Sequence, residues 1–126
     1  MLANLLSSTA YVRVRRNQFL VRGLESGIDT TVVSQTPFTT ARLLIGQFVA
    51  AQTALKDALK QLAKGRLFAT LPRVVIHPME MVDGGLSEVE DRIFREVAIS
   101  AGASKVVVWV GHELSDAEVK EKLDAA

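Results

Sequence analysis

The chain has 126 residues, 48% of them hydrophobic, with 15 basic and 14 acidic side chains and no cysteine. That length supports one domain with a proper core, and the near-balanced charge gives no general drive toward nucleic acid or anionic lipid. The missing cysteine excludes disulfides, thiolate metal sites and cysteine nucleophiles, the longest apolar run (Val106 to Val110) is far too short for a membrane span, and Met1 to Leu6 lacks the features of a signal peptide, which points to a cytoplasmic protein.

Charge is unevenly placed along the chain. Arg13, Arg15, Arg16 and Arg22 crowd the first quarter, and no acid precedes Glu25. Tyr11-Val12-Arg13-Val14-Arg15 alternates apolar and basic residues with period two, and Gln18-Phe19-Leu20-Val21-Arg22 follows a turn near Arg16-Asn17. The pattern predicts a β-hairpin with one buried and one basic face. Such a face is either a solvated strand surface kept from aggregation by charge or a stripe for phosphates or acids. The aromatic interleaving of nucleic-acid readers is missing.

Thr30 to Thr36, β-branched and stopped by Pro37, reads as a third strand. A long helix is expected from about Thr39 to Lys64, because Leu44, Phe48, Ala51, Leu55, Ala58 and Leu62 recur at three- and four-residue steps. Thr39 or Thr40 would cap its start and Gly65 its end. Gly46 would then lie inside the helix, costing about 1 kcal/mol against Ala and permitting close packing on a strand. Leu67 to Leu71 connects to a buried strand, Arg73-Val74-Val75-Ile76.

Ser87-Glu88-Val89-Glu90 matches a capping box opening a helix. Val89, Ile93, Val97 and Ala101 would form its core stripe, widened by Phe94 and Ala98, and Ser100-Ala101-Gly102-Ala103 would close it. Lys105 to Val110 reads as a second apolar strand, parallel to the one at 74–76. Ser115-Asp116-Ala117-Glu118 repeats the capping box before a last helix carrying Val119 and Leu123. The order β-β-β-α-β-α-β-α predicts an α/β fold, a five-stranded mixed sheet on the ribonuclease-H-like plan shared by actin-like ATPase subdomains.

Pro72-Arg73-Val74-Val75-Ile76, the loop after it, a helix containing Val-Glu, Ser100-Ala101-Gly102-Ala103 and the following strand resemble the corresponding unit of MreB-type bacterial actin homologues. The resemblance runs from about Leu5 to Glu113 and matches only the first large subdomain of such proteins. It implies a place in cell shape or a cytoskeleton. The family's phosphate turn carries Asp-x-Gly-Thr before and between its first two strands. The equivalent stretch here, Ala3 to Thr9, has neither Asp nor Gly, although a phosphate loop needs glycine amides and a carboxylate for the metal. In place of the family's Glu-Glu-Pro stands Val110-Gly111-His112, with Glu113 just beyond. The expected protein is therefore non-catalytic, with no cofactor and no metal, and assembles with itself or with another actin-like protein.

The alternative is a small-ligand or nucleotide-binding module. His77 and His112 each end a parallel strand, where open α/β sheets place ligands, and Glu80 and Asp83 follow His77 closely. Gly84-Gly85 precedes a helix N-terminus that can cradle an anion, although Asp83 and Glu88 would repel one. For assembly, the candidate surface is Thr31-Val32-Val33. In an actin-like sheet this strand lies at the edge, with no charged residue between Thr30 and Phe38 to protect it.

Overall fold

The computed structural model describes residues 8–64 and 71–126. Within them the chain runs β1 (Thr9–Arg15), β2 (Gln18–Gly23), β3 (Ile28–Val33), α1 (Phe48–Ala63), β4 (Arg73–Pro78), α2 (Glu88–Ser100), β5 (Lys105–Val108) and α3 (Asp116–Ala125). The five strands form one sheet in the order β3-β2-β1-β4-β5. β1 pairs antiparallel with β2, and β2 with β3, whereas β4 lies parallel to both β1 and β5. This is the ribonuclease-H-like arrangement the element order predicts.

Strand alternation sorts the core into two layers. Val12, Val14, Phe19, Val21, Val74 and Ile76 point to the face covered by α1 and α2. Tyr11 and Val75 point the other way and pack with Leu114, Val119 and Leu123. On that second face α3 lies over β4 and β5. Arg13 shares Tyr11's face, so the hairpin does have a buried side and a basic side, but Tyr11 itself is sealed under the α3 layer.

The long helix differs from its expected bounds. It begins at Phe48, not Thr39, and its N-cap Gln47 makes no side-chain cap. Residues 38–47 fold instead into a tight loop that consumes the groups a helix start would need. The Thr39 hydroxyl donates to the Leu44 carbonyl (2.7 Å), and the Phe38 carbonyl accepts from both Gly46 (2.8 Å) and Gln47 (2.9 Å). Threonine hydroxyls offering such local bonds compete directly with helix formation. Leu44 is buried, but from this loop, and Gly46 lies outside the helix. A Cβ on Gly46 would meet the Thr40 side chain at 2.2 Å, so its glycine serves that close approach. Gly65, and residues 67–70 of the expected connector, lie outside the described residues.

Other bounds shift less. β3 ends at Val33 rather than Thr36, where the Ser34 amide donates to the Asn17 carbonyl and its hydroxyl to the Thr36 carbonyl (2.6 Å). β5 ends at Val108, two residues early. Both capping boxes are present, at Ser87 with Glu90 and at Ser115 with Glu118. Val89 is not a core residue: it is 69% exposed, and the buried stripe of α2 is Phe94, Val97 and Ala98. As the second residue of α2 it looks out past the sheet rather than onto it. Gly102 adopts φ 119°, which lets the Ala103 amide reach back to the Ala98 carbonyl and close the helix.

Candidate functional site

β1, β4 and β5 are mutually parallel, so their carboxyl ends share one edge of the sheet. His77 sits there in register with Arg13 of β1. It is buried, 2% exposed, and both ring nitrogens are used. Nε2 lies 3.0 Å from the Gly111 carbonyl, which can only accept, so Nε2 carries the proton. Nδ1 is then the acceptor for the Tyr11 hydroxyl at 2.6 Å, and the Tyr11 oxygen accepts from the Leu114 amide at 3.1 Å. The two rings stack at 5.9 Å. Burial holds the imidazole below its ordinary pKa against the opposing pull of the Gly111 carbonyl. Burial likewise raises the Tyr11 phenol. Every bond in this chain is satisfied internally, and its effect is to tie the loop after β5 down onto β1 and β4.

His112 lies in that loop with its ring exposed. Its Nε2 is 2.8 Å from Glu118 Oε2, while Oε1 of the same carboxylate accepts the Ser115 amide at 3.0 Å. The Ser115 amide first, and then His112, hold the Glu118 carboxyl down to about 2. Trp109 completes the cluster: its indole donates to the His112 carbonyl (2.8 Å), and the Lys122 ammonium sits 3.6 Å from the ring centroid.

The remaining ligand candidates do not join them. Asp83, Gly84 and Gly85 are exposed, with φ of 78° and 86° at the two glycines. A Cβ on either glycine would meet nothing within 4 Å, so no wall of a cradle stands against them. Among the described residues no hydrogen bond or ion pair links this loop to His77 or His112, and no group of three metal-ligating side chains forms. Glu80, which its nearness in sequence to His77 suggested as a partner, bonds elsewhere.

That partner is the turn between β1 and β2. The Glu80 carboxylate accepts the Arg16 amide at 2.6 Å and approaches the Arg16 guanidinium at 3.8 Å. Asn17, at φ 57°, turns its side-chain oxygen onto the amides of Phe38 (2.9 Å) and Thr39 (2.8 Å). Its own amide donates to the Thr39 hydroxyl at 3.0 Å. Residues 3–7 of the stretch compared with the phosphate turn lie outside the described residues; the turn between the first two strands is this one. The basic stripe is also largely answered. Arg13 reaches Glu113 (3.3 Å) and Asp29 (3.6 Å), and Arg22 grips Asp116 at 3.0 Å, holding that carboxyl below its usual range.

β3 is an edge strand, as expected. Thr31 and Val33 are exposed, Val33 at 66%, while Val32 packs half-buried against the core. Beside this edge an open groove of ≈ 1190 Å³ runs along α1, lined among others by Val32, Pro37, Phe48, Val49, Lys56 and Asp57.

No family model matches the chain. The protein YjaA of Escherichia coli (strain K12), itself uncharacterized, is 39% identical over 103 residues, which cover 78% of this chain and 80% of that protein. The chain belongs to the YjaA family. Among solved structures, the ethanolamine utilization protein EutJ from Carboxydothermus hydrogenoformans superposes with a TM-score of 0.59 over 82% of this YjaA-family chain at 10% identity. EutJ has an actin-like ATPase fold, and the match takes in 36% of its length. At that identity the likeness establishes a shared fold.

Sequence reasoning missed the two residues that organise this edge of the YjaA-family chain. Tyr11 reads as one more apolar position, although it is the chain's single tyrosine and stands on the same strand face as two arginines. Asn17 reads as a generic turn residue. The network it anchors depends on Thr39, which lies far along the chain.

Proposed function

We propose that this chain is a non-catalytic actin-like domain, related to the MreB type, that acts in protein assembly. The observation that carries the reading is the bond between Glu80 and the Arg16 amide. In an actin-like ATPase, backbone amides of the turn between the first two strands face phosphate. Here a carboxylate of the chain itself takes an amide of that turn, and Asn17 is held by residues 38 and 39. A nucleotide phosphate would have to displace a negative group already in place. An unprotected edge at β3 meanwhile offers backbone groups for pairing. A setting in cell shape or a cytoskeleton, and a cytoplasmic location, follow from the MreB resemblance of the segments at Pro72–Ile76 and Ser100–Ala103.

The alternative, a small-ligand module at the strand ends, has less support. His77 spends both nitrogens inside the fold, which leaves Asp83, Gly84, Gly85 and His112 without a common centre. Calorimetry with ATP and magnesium tests the choice. The expected result is no saturable heat below the millimolar range, equivalent to about −4 kcal/mol. Micromolar binding would overturn the reading and favour a nucleotide-binding module.

A further inference from the structure

The groove beside β3 has an unusual boundary for a surface left to solvent. Its strand side is free of charge from Thr30 to Phe38, and its helix side carries Lys56, Asp57 and Lys60. None of these three charged groups makes an ion pair among the described residues, and Val49 nearby is exposed at 70%. We propose that the occupant is a second copy of this chain, joined through β3 and α1 together in one two-fold interface. The proposal rests on the assembly reading above and names its partner.

Geometry supports this occupant. A two-fold axis perpendicular to the sheet would pair β3 with its symmetry mate antiparallel and continue the sheet across the dyad. Side chains directly opposite each other must share a face, and Thr31, which is exposed on the face away from α1, can then oppose its own copy. α1 packs over β2 and β3. With strands about 4.8 Å apart, a helix centred between those two strands lies about 5 Å from the dyad in projection. Its copy is then about 10 Å away, which is the spacing at which helices pack.

Lengths agree as well. The six residues of β3 span about 20 Å and the sixteen of α1 about 24 Å. Leu62 lies within 3.5 Å of where a Cβ on Gly23, the partner of Ile28, would stand, and Phe48 lines the groove with Val33 and Pro37, so α1 runs back along β3 and the middles of the two elements fall close together. The two helices would run antiparallel, and the middle of α1 is Leu55-Lys56. A centre between Lys56 and Asp57 sets each Lys56 against the partner's Asp57, twice over by symmetry. The interface is then self-complementary in charge, as a two-fold contact requires, while Val49 and the apolar edge lose water. An unrelated extended peptide could use the edge, but nothing in its chemistry would have to answer a lysine and an aspartate side by side.

Sedimentation equilibrium of the full chain and three variants tests this. The wild type is expected to dimerise in the micromolar range. K56D sets Asp against Asp, and D57K sets Lys against Lys, so each should weaken dimerisation at least tenfold. The double variant K56D/D57K restores opposite charges across the axis and should recover most of the affinity, with circular dichroism confirming that all four fold alike. A wild type that stays monomeric overturns self-pairing, with the assembly reading then judged by the ATP calorimetry. A dimer indifferent to the single changes, or not rescued by the double one, overturns this interface while leaving the assembly reading intact.

Discussion

The Tyr11 hydroxyl lies 2.6 Å from Nδ1 of His77, although the two residues are 66 positions apart. The contact joins adjacent parallel strands on the face under α3, and the Leu114 amide extends it into the loop after β5. A buried polar chain of this kind is stabilising only while each member is satisfied. It stands at the carboxyl edge, where a ligand would be sought in an open sheet, and there both ring nitrogens of His77 already have partners within the fold.

Tyr11→Phe removes the shared oxygen and leaves His77 Nδ1 and the Leu114 amide without it. Leaving a buried polar group unpaired costs about 1–3 kcal/mol. Urea denaturation should show a lowered midpoint with an unchanged slope. Trp109 is the chain's single tryptophan and bonds within the same loop, so its fluorescence should change in the folded state too. Unchanged stability would mean that the chain of bonds carries no load.

The same histidine sets a pH dependence. Its folded pKa is depressed, so between that value and the ordinary one near 6.5 the unfolded chain binds more protons than the folded chain. Stability should therefore be level above about pH 6.5 and fall as the pH drops through it. Glu118 adds a separate loss further down. Its carboxyl is held at about 2 against an ordinary 4.5, so its contribution is present above 4.5 and disappears between there and 2. Urea midpoints measured from pH 8 to pH 3 should show the first decline in the wild type, and His77→Gln should flatten it. A curve level down to pH 5 would refute the assignment to His77.

The helix and strand order was legible because local signals agree with the fold: period two at Tyr11–Arg15, two capping boxes, and apolar strands flanking α2. The start of α1 was not legible. Leu44 and Phe48 continue a helical spacing into residues that in fact form a loop, because that loop also needs a buried leucine on the sheet. Its conformation is fixed by Asn17, across a hairpin, which no local pattern encodes. The same holds for the site. His77 and His112 were visible as strand-end histidines, but whether a histidine is free depends on Tyr11 and Gly111, brought to it by tertiary pairing.

Gly46→Ala separates the two readings of that loop by sign. Inside a helix the change would stabilise by about 1 kcal/mol. In the observed loop the new methyl group meets the Thr40 side chain at 2.2 Å and 2.5 Å. Thr40 is itself held by Leu43, so relief requires the loop to shift. Overpacking of this sort costs about 1–3 kcal/mol. Thermal melts should show a lower Tm for Gly46→Ala, and Thr40→Ala in the same chain should recover part of the loss. A higher Tm for the single variant would contradict the loop.

The strand edge gives the last prediction. Thr31 is exposed on β3, and in the two-fold pairing it stands opposite its own copy. Thr31→Lys would place two ammonium groups at the dyad, and like charges directly opposite on paired strands are unfavourable. Lysine is also a residue with which natural edge strands avoid pairing. Val33 is a poorer choice, although it too is exposed, because the same register sets it against the partner's Asp29, which would welcome a cation. Within one copy the substitution costs little, since the Thr31 side chain faces solvent above Leu20 of β2. Thr31→Lys should therefore shift the protein to monomer in sedimentation with the melting temperature of the dissociated chain unchanged. The shift should weaken at high salt, where screening shortens the repulsion to a few ångströms. A variant that associates as the wild type does, at low and high salt alike, would place any self-contact away from this edge.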